Sequence, residues 1–257
     1  MHSRLKIVIF TAPFVIVLLF LLVRMLAPGT YALLAREDSE IEYMQSLFYC
    51  MASLFAFFAS RNLLHKRQFL NAALCAILAA GLLFVSLEEL SWGQRIFKTR
   101  TPAFFRQHNN QKELTIHNLM PIERRLYTAY MLTGAYGAFA WIITALAAPG
   151  ARAKKLHVVN FTVPPLFISP YFFFTFFVYG LFEYCGLPCK NGLLHWRDQE
   201  PAEFLLSLGF LVFAVTCYLR SNEGTSSVLQ ADRYPVGHHT FETPENKPQP
   251  LDTVPDA

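Results

Sequence analysis

Residues 69–95 read FLNAALCAILAAGLLFVSLEELSWGQR, an apolar run that ends in two adjacent carboxylates, Glu88 and Glu89, rather than in lysine or arginine. At about 1.5 Å per residue the rise from Phe69 to Glu88 is roughly 29 Å, nearly the whole of a hydrocarbon core about 30 Å thick. The run is therefore long enough to cross a bilayer as a helix, with the carboxylate pair at its far edge. A charged side chain at mid-bilayer costs about 2.5–3.5 kcal/mol on insertion scales, and acids kept in spans usually face a protein interior or a wet cavity. At the edge the cost is smaller and water is within reach, so the function is expected there.

Working outward, five further apolar stretches have spanning length, at about 7–26, 44–60, 126–147, 166–184 and 202–219, which with 69–90 makes six. None alternates with the two-residue period of a membrane barrel strand, and helices are then the economical way to satisfy a backbone in lipid. The composition agrees: 54% of the 257 residues are hydrophobic, 16% are charged and 25 are phenylalanine. A soluble globular domain rarely has this profile. The fold expected is all-α, a polytopic membrane protein of about six transmembrane helices with two polar extracytoplasmic loops. Residues 1–220 form the transmembrane domain, and residues 221–257, with Pro235, Pro244, Pro248, Pro250 and Pro255, read as a disordered cytoplasmic tail. The first run reads as a retained anchor, because Ile7–Val23 exceeds a typical signal-peptide core and no clear cleavage site follows Pro28 and Gly29.

Arg4 and Lys6, then Arg61, Lys66 and Arg67, then Arg152, Lys154 and Lys155 mark the cytoplasmic side, placing both termini in the cytoplasm. Compact loops and the lack of other domains suggest a bacterial inner (plasma) membrane. Loops 91–125 and 185–201 then share the extracytoplasmic face with Glu88 and Glu89. The first of these loops is basic, carrying Arg95, Lys98, Arg100, Arg106, Lys112, Arg124 and Arg125 against Glu113 and Glu123. Either it re-enters the membrane or the topology is inverted, or its cations hold an anionic lipid or lipid-linked head group. The net charge of +4 is ordinary for a membrane protein, and no nucleic-acid motif accompanies it.

Three constellations carry candidate chemistry. If the helix continued to residue 95, Glu88, Trp92 and Arg95 would share one face, with Glu89 and Gly93 about 100° away. Trp92, Gln94 and Arg95 are candidate substrate contacts, although Trp92 also suits an interfacial anchor and Arg95 a plain counter-ion to Glu88. In NNQKELTIHN, residues 109–118, Asn110 and Glu113 suit a capping box, and a short helix from there would align Glu113 with His117. That pair can share a metal or act as acid and base, with Asn110 and Asn118 as flanking substrate contacts. The bland alternative is a surface helix.

The third constellation runs from Glu183 through Cys185 and Cys189, a possible disulfide, to His195 and Asp198. Glu200, Pro201 and Glu203 are explained by the start of the last helix, with proline in the first turn and acids complementing the dipole. Glu113, His117, His195 and Asp198 together would suit a divalent metal such as Zn, Mn or Fe. The stretch from Tyr171 to Tyr184, with nine Phe or Tyr in fourteen residues, reads as a lipid-facing wall, and Cys50, Cys75 and Cys217 read as packing residues.

These residues point to a membrane-embedded enzyme, a hydrolase or transferase acting on a lipid or lipid-linked substrate at the extracytoplasmic interface. Glu88, Glu89 and His117 are its candidate catalytic groups. No serine-esterase elbow, zincin, Walker or dinucleotide motif is present. The alternatives are a small proton-coupled transporter, or a noncatalytic subunit of an envelope complex. Acids at the membrane edge and the lack of an internal repeat count against the transporter.

Overall fold

The computed structural model describes residues 3–36, 39–146, 161–184 and 196–231. Among them the regular structure is helical: α1 (Ser3–Leu26), α2 (Pro28–Leu34), α3 (Glu40–His65), α4 (Phe69–Glu89), α5 (Gln94–Phe97), α6 (Ala103–His108), α7 (Met120–Leu146), α8 (Ser169–Tyr184) and α9 (Glu200–Ala231). One isolated antiparallel bridge joins Asn109 to Leu119. Six helices are long and apolar enough to cross a membrane, in α1, α3, α4, α7, the segment Leu166–Tyr184 and α9. The protein is an all-α polytopic membrane protein. Residues 1–223 form one compact unit. The last helix runs on to Ala231, beyond the boundary expected at residue 221, and the tail after it lies outside the described residues, as do Cys185 and Cys189.

Serine every seventh residue on α3 meets α4 along its length. The hydroxyls of Ser46, Ser53 and Ser60 donate to the carbonyls of Ser86 (2.8 Å), Ala79 (2.7 Å) and Ala72 (2.8 Å). Between them Ala52, Ala56 and Ala59 are fully buried. Lipid tails are as apolar as leucine, so helices in a bilayer associate through close packing of small residues and interhelical hydrogen bonds, and this hairpin uses both. On the other side α7 packs on α8. A Cβ added at Gly134 would lie 2.5 Å from the Phe176 amide nitrogen, so only glycine permits that approach. Helix α9 seals the two pairs together, with Leu205, Phe213 and Cys217 in the main core beside Phe172.

Helix α1 is peripheral. Only 6% of its spanning window is buried, against 28–44% for the other five, so its apolar surface is left to lipid. It is fastened by its last turn, where Arg24 donates to Asp198 at 2.6 Å. Because the spans alternate in direction, the starts of α3, α7 and α9 and the ends of α4 and α8 meet at one end of the bundle, where the candidate site lies.

Candidate functional site

Helix α4 does not continue through residue 95 as expected. It stops at Glu89, and Ser91 (φ 49°), Trp92 (φ 54°) and Gly93 (φ 75°) turn left-handed in succession. Glycine adopts that conformation without strain, whereas each non-glycine residue there costs about 1–3 kcal/mol and persists only if its surroundings hold it. Two hydrogen bonds do so: the Trp92 indole returns to Glu88 Oε1 at 2.5 Å, and the Ser91 hydroxyl donates to Glu113 Oε2 at 2.6 Å.

Residues 109–119 are a closed loop rather than the expected short helix. The side chain of Asn109 organises it, accepting from the Gln111 amide at 2.8 Å and donating to the Thr115 carbonyl at 2.8 Å and hydroxyl at 2.9 Å. Asparagine offers the backbone this local alternative to a helical hydrogen-bond ladder. The Asn118 amide also donates to Gln111 Oε1. The loop folds over the end of α4 and presents three donors to Glu88 Oε2: the Ile116 amide (2.7 Å), the His117 amide (2.9 Å) and His117 Nδ1 (3.1 Å). An ionised carboxylate only accepts, so Nδ1 carries the hydrogen and Nε2 is left as the basic nitrogen of the imidazole. Glu88 is 4% exposed.

Above this pair lies a polar chamber of about 120 Å³ lined by six carboxyls, Glu42, Glu88, Glu89, Glu113, Glu200 and Glu203. Ser91, Gln111, Thr115, His117, Asn118, Leu126, Gln199 and three tyrosines, Tyr127, Tyr130 and Tyr179, also line it, and no lysine or arginine appears among its described lining residues. Tyr179 donates to Glu203, and Gln45 donates to Glu200 Oε2 at 3.3 Å from behind. The Glu89 carboxyl takes part in no hydrogen bond or ion pair among the described residues, while Gln199 Oε1 is buried without a partner.

A second cavity, of about 460 Å³ and lined largely by apolar groups, adjoins the chamber. Its walls come from α4 (Ile77, Gly81, Phe84), α7 (Ala129, Thr133) and α9 (Leu206, Phe210). Glu88, Glu89, His117, Leu126 and Tyr130 line both spaces. On the membrane-facing side Ile77 is 69% exposed, so the apolar cavity borders the surface that lipid covers.

The structure thus brings together Glu88, Glu89, Glu113, His117 and Asn118 and separates the other described candidates. Asp198 is not beside Glu113 and His117. It holds Arg24 and the Tyr31 hydroxyl, each at 2.6 Å, in a different cavity of about 110 Å³. Burial, and then the hydrogen bond to Asp198, pushes the Tyr31 phenol well above its ordinary value, so it stays a neutral donor. His195 lies outside the described residues, and among those described no three His, Cys, Asp or Glu side chains gather closely enough to hold a metal. Of the four residues expected to share a metal, Asp198 therefore lies apart from Glu113 and His117.

Gln94 ties its own loop together, accepting from the Leu114 amide at 2.7 Å and donating to Thr101 at 2.5 Å, and it does not line the chamber. Asn110 is exposed and also outside the lining, Trp92 serves Glu88, and the Arg95 side chain is outside the described part. Lys98, Arg100, Arg106 and Lys112 are exposed and none lines the chamber. Residues that the sequence reading passed over are Glu42, Tyr127, Tyr130, Tyr179 and Gln199, together with Glu200 and Glu203, which helix-start chemistry explains away. Their only signal in the sequence is a position at the membrane edge. Comparison with protein families, curated protein sequences and solved structures finds no match for this chain.

Proposed function

We propose that this protein is a membrane-embedded enzyme, a hydrolase or transferase, acting on a lipid or lipid-linked substrate at the end of the bundle where the chamber lies. The observation that carries this reading is the shared wall: Glu88, Glu89 and His117 border a polar chamber and an apolar cavity at once. A reacting centre at the junction of head group and chain meets these three side chains together. His117 is the general base, taking a proton on Nε2 from water or an acceptor hydroxyl, and Glu88 positions it through Nδ1 and stabilises the imidazolium that forms. The proton held on His117 Nε2 then passes to the leaving group, and Glu89, which takes part in no hydrogen bond among the described residues, is the second catalytic carboxyl, holding the substrate beside His117.

Wild-type protein and the variants His117→Ala and Glu89→Gln, reconstituted in nanodiscs with a total membrane lipid extract, provide the test. Mass spectrometry of the lipids before and after incubation is expected to show one species consumed and a product formed by the wild type, with a loss of about 10²–10⁴-fold for His117→Ala. A lipid profile that wild-type protein leaves unchanged, with or without added acceptor alcohols, overturns the enzyme reading.

A further inference from the structure

We infer that the chamber takes the cationic amine head group of an amphiphile whose hydrocarbon chain lies in the adjoining apolar cavity. This deepens the enzyme reading above by naming its substrate class. Three independent features of the walls support it. The first is charge: Glu89, Glu200 and Glu203 line one small space with no described lysine or arginine in its wall, and a positive group that lets these close carboxyls ionise together is favoured there over a phosphate or carboxylate.

The second is the balance of donors and acceptors. Four donors in the wall already have protein acceptors: Ser91 holds Glu113, Tyr179 holds Glu203, Asn118 holds Gln111 and His117 holds Glu88. Acceptor capacity remains in the Glu89 carboxyl, which takes part in no hydrogen bond among the described residues, and in the buried, unpartnered Gln199 Oε1. A buried acceptor without a donor is costly, and an ammonium brings three donors and no acceptor. A phosphate would set further acceptors beside these two, and a neutral alcohol brings one donor and no charge.

The third is shape and polarity. The space next to Glu89 is not another polar vestibule but an apolar cavity of about 460 Å³ between α4, α7 and α9. A free inorganic cation has no use for it, and no three liganding side chains among those described converge on a metal-sized point. An amphiphile uses both spaces, and Glu89 at the junction is placed to meet its ammonium.

The test is isothermal titration calorimetry of wild-type protein in nanodiscs, with empty nanodiscs as the blank and three probes of equal chain length: dodecylamine, dodecanol and dodecyl phosphate. The expected result is saturable binding of dodecylamine on the order of tenfold tighter than dodecanol, and no binding of dodecyl phosphate above the blank. Glu89→Gln, and independently Glu203→Gln, is expected to weaken the amine on the order of tenfold and to leave dodecanol unmoved. The wild-type comparison stands whether or not either variant folds.

Dodecanol or dodecyl phosphate binding as tightly as the amine overturns the proposal. So does amine binding that both substitutions leave unchanged, and so does saturable Mn²⁺ or Zn²⁺ binding in place of the amine. The two readings fail separately. Lipid turnover lost in His117→Ala with no preference for the amine leaves the enzyme and removes the substrate class. Amine binding that depends on Glu89, with no turnover of any lipid, leaves the site and removes the enzyme.

Discussion

Glu88 and Glu89 are neighbours in the chain, yet among the described residues one accepts four hydrogen bonds and the other none. About 100° of helix rotation separates them, and while both border the two cavities, only Glu88 is turned to the donors of the 116–117 loop. Substitution is therefore expected to separate structure from chemistry. In Glu88→Gln one of the two oxygens becomes an NH₂ that cannot accept. Either the indole N–H or the three donors of the loop then lose their partner, at about 1–3 kcal/mol for each buried group left unmatched. Glu89→Gln removes no hydrogen bond among the described residues. Unfolding midpoints in one detergent should drop by several degrees for Glu88→Gln and stay near wild type for Glu89→Gln; the reverse order would contradict this division of roles. The acid pair itself was legible, because two carboxylates inside an apolar run have no structural excuse. Glu203 and Glu200 were not, because an acid in a first helical turn has a sufficient local explanation, and only the closure of the bundle shows them facing Glu89. Asp198 was misread for the complementary reason: its partner Arg24 lies at the end of the first helix, a separation along the chain that no spacing rule can see.

At the scale of elements, length and hydropathy were enough to place the six spans, since a bilayer imposes one thickness on all of them. The connecting pieces between α4 and α7 were harder. A capping box and a step of four between Glu113 and His117 suggested a helix, but the Asn109 side chain closes the same stretch as a loop, and the loop brings both residues to the chamber by another route. What holds the elements together is the serine ladder from α3 to α4. Removing one rung in Ser53→Ala is expected to cost about 0.6 kcal/mol, the average for interhelical hydrogen bonds in bilayers. Ser53→Leu should cost several times more, because it also forces apart helices whose contact is lined by buried alanines. Gly134→Ala should act like Ser53→Leu on the opposite pair, since the added carbon meets the backbone of α8 rather than a movable side chain. Reversible unfolding in mixed micelles measures all three. If Ser53→Leu equals Ser53→Ala, the α3–α4 contact is not set by close approach.

At the scale of the molecule, alternating spans bring helix ends from distant parts of the chain to one end of the bundle, and the site is built from those ends. Lys98, Arg100, Arg106 and Lys112 of the 91–125 loop are exposed and none lines the chamber, so the charge of these residues and the acids of the chamber must be read apart. The apolar cavity between α4, α7 and α9 gives the site its second half, and this makes a prediction about chain entry. Gly81 lines that cavity, and a Cβ built on it meets nothing within 4 Å, so a large side chain fits there without disturbing the backbone. In Gly81→Trp the indole occupies space that a hydrocarbon chain would use. Denying burial to two methylenes at about 0.8 kcal/mol each weakens a long-chain substrate by roughly tenfold. The loss is expected in KM rather than kcat for whichever lipid the wild type consumes, and to shrink for a short-chain version of it, because the chamber and His117 are untouched. An unchanged KM for the long-chain lipid in a well-folded Gly81→Trp protein would mean that the chain lies elsewhere, and that the chamber is reached from the aqueous side alone.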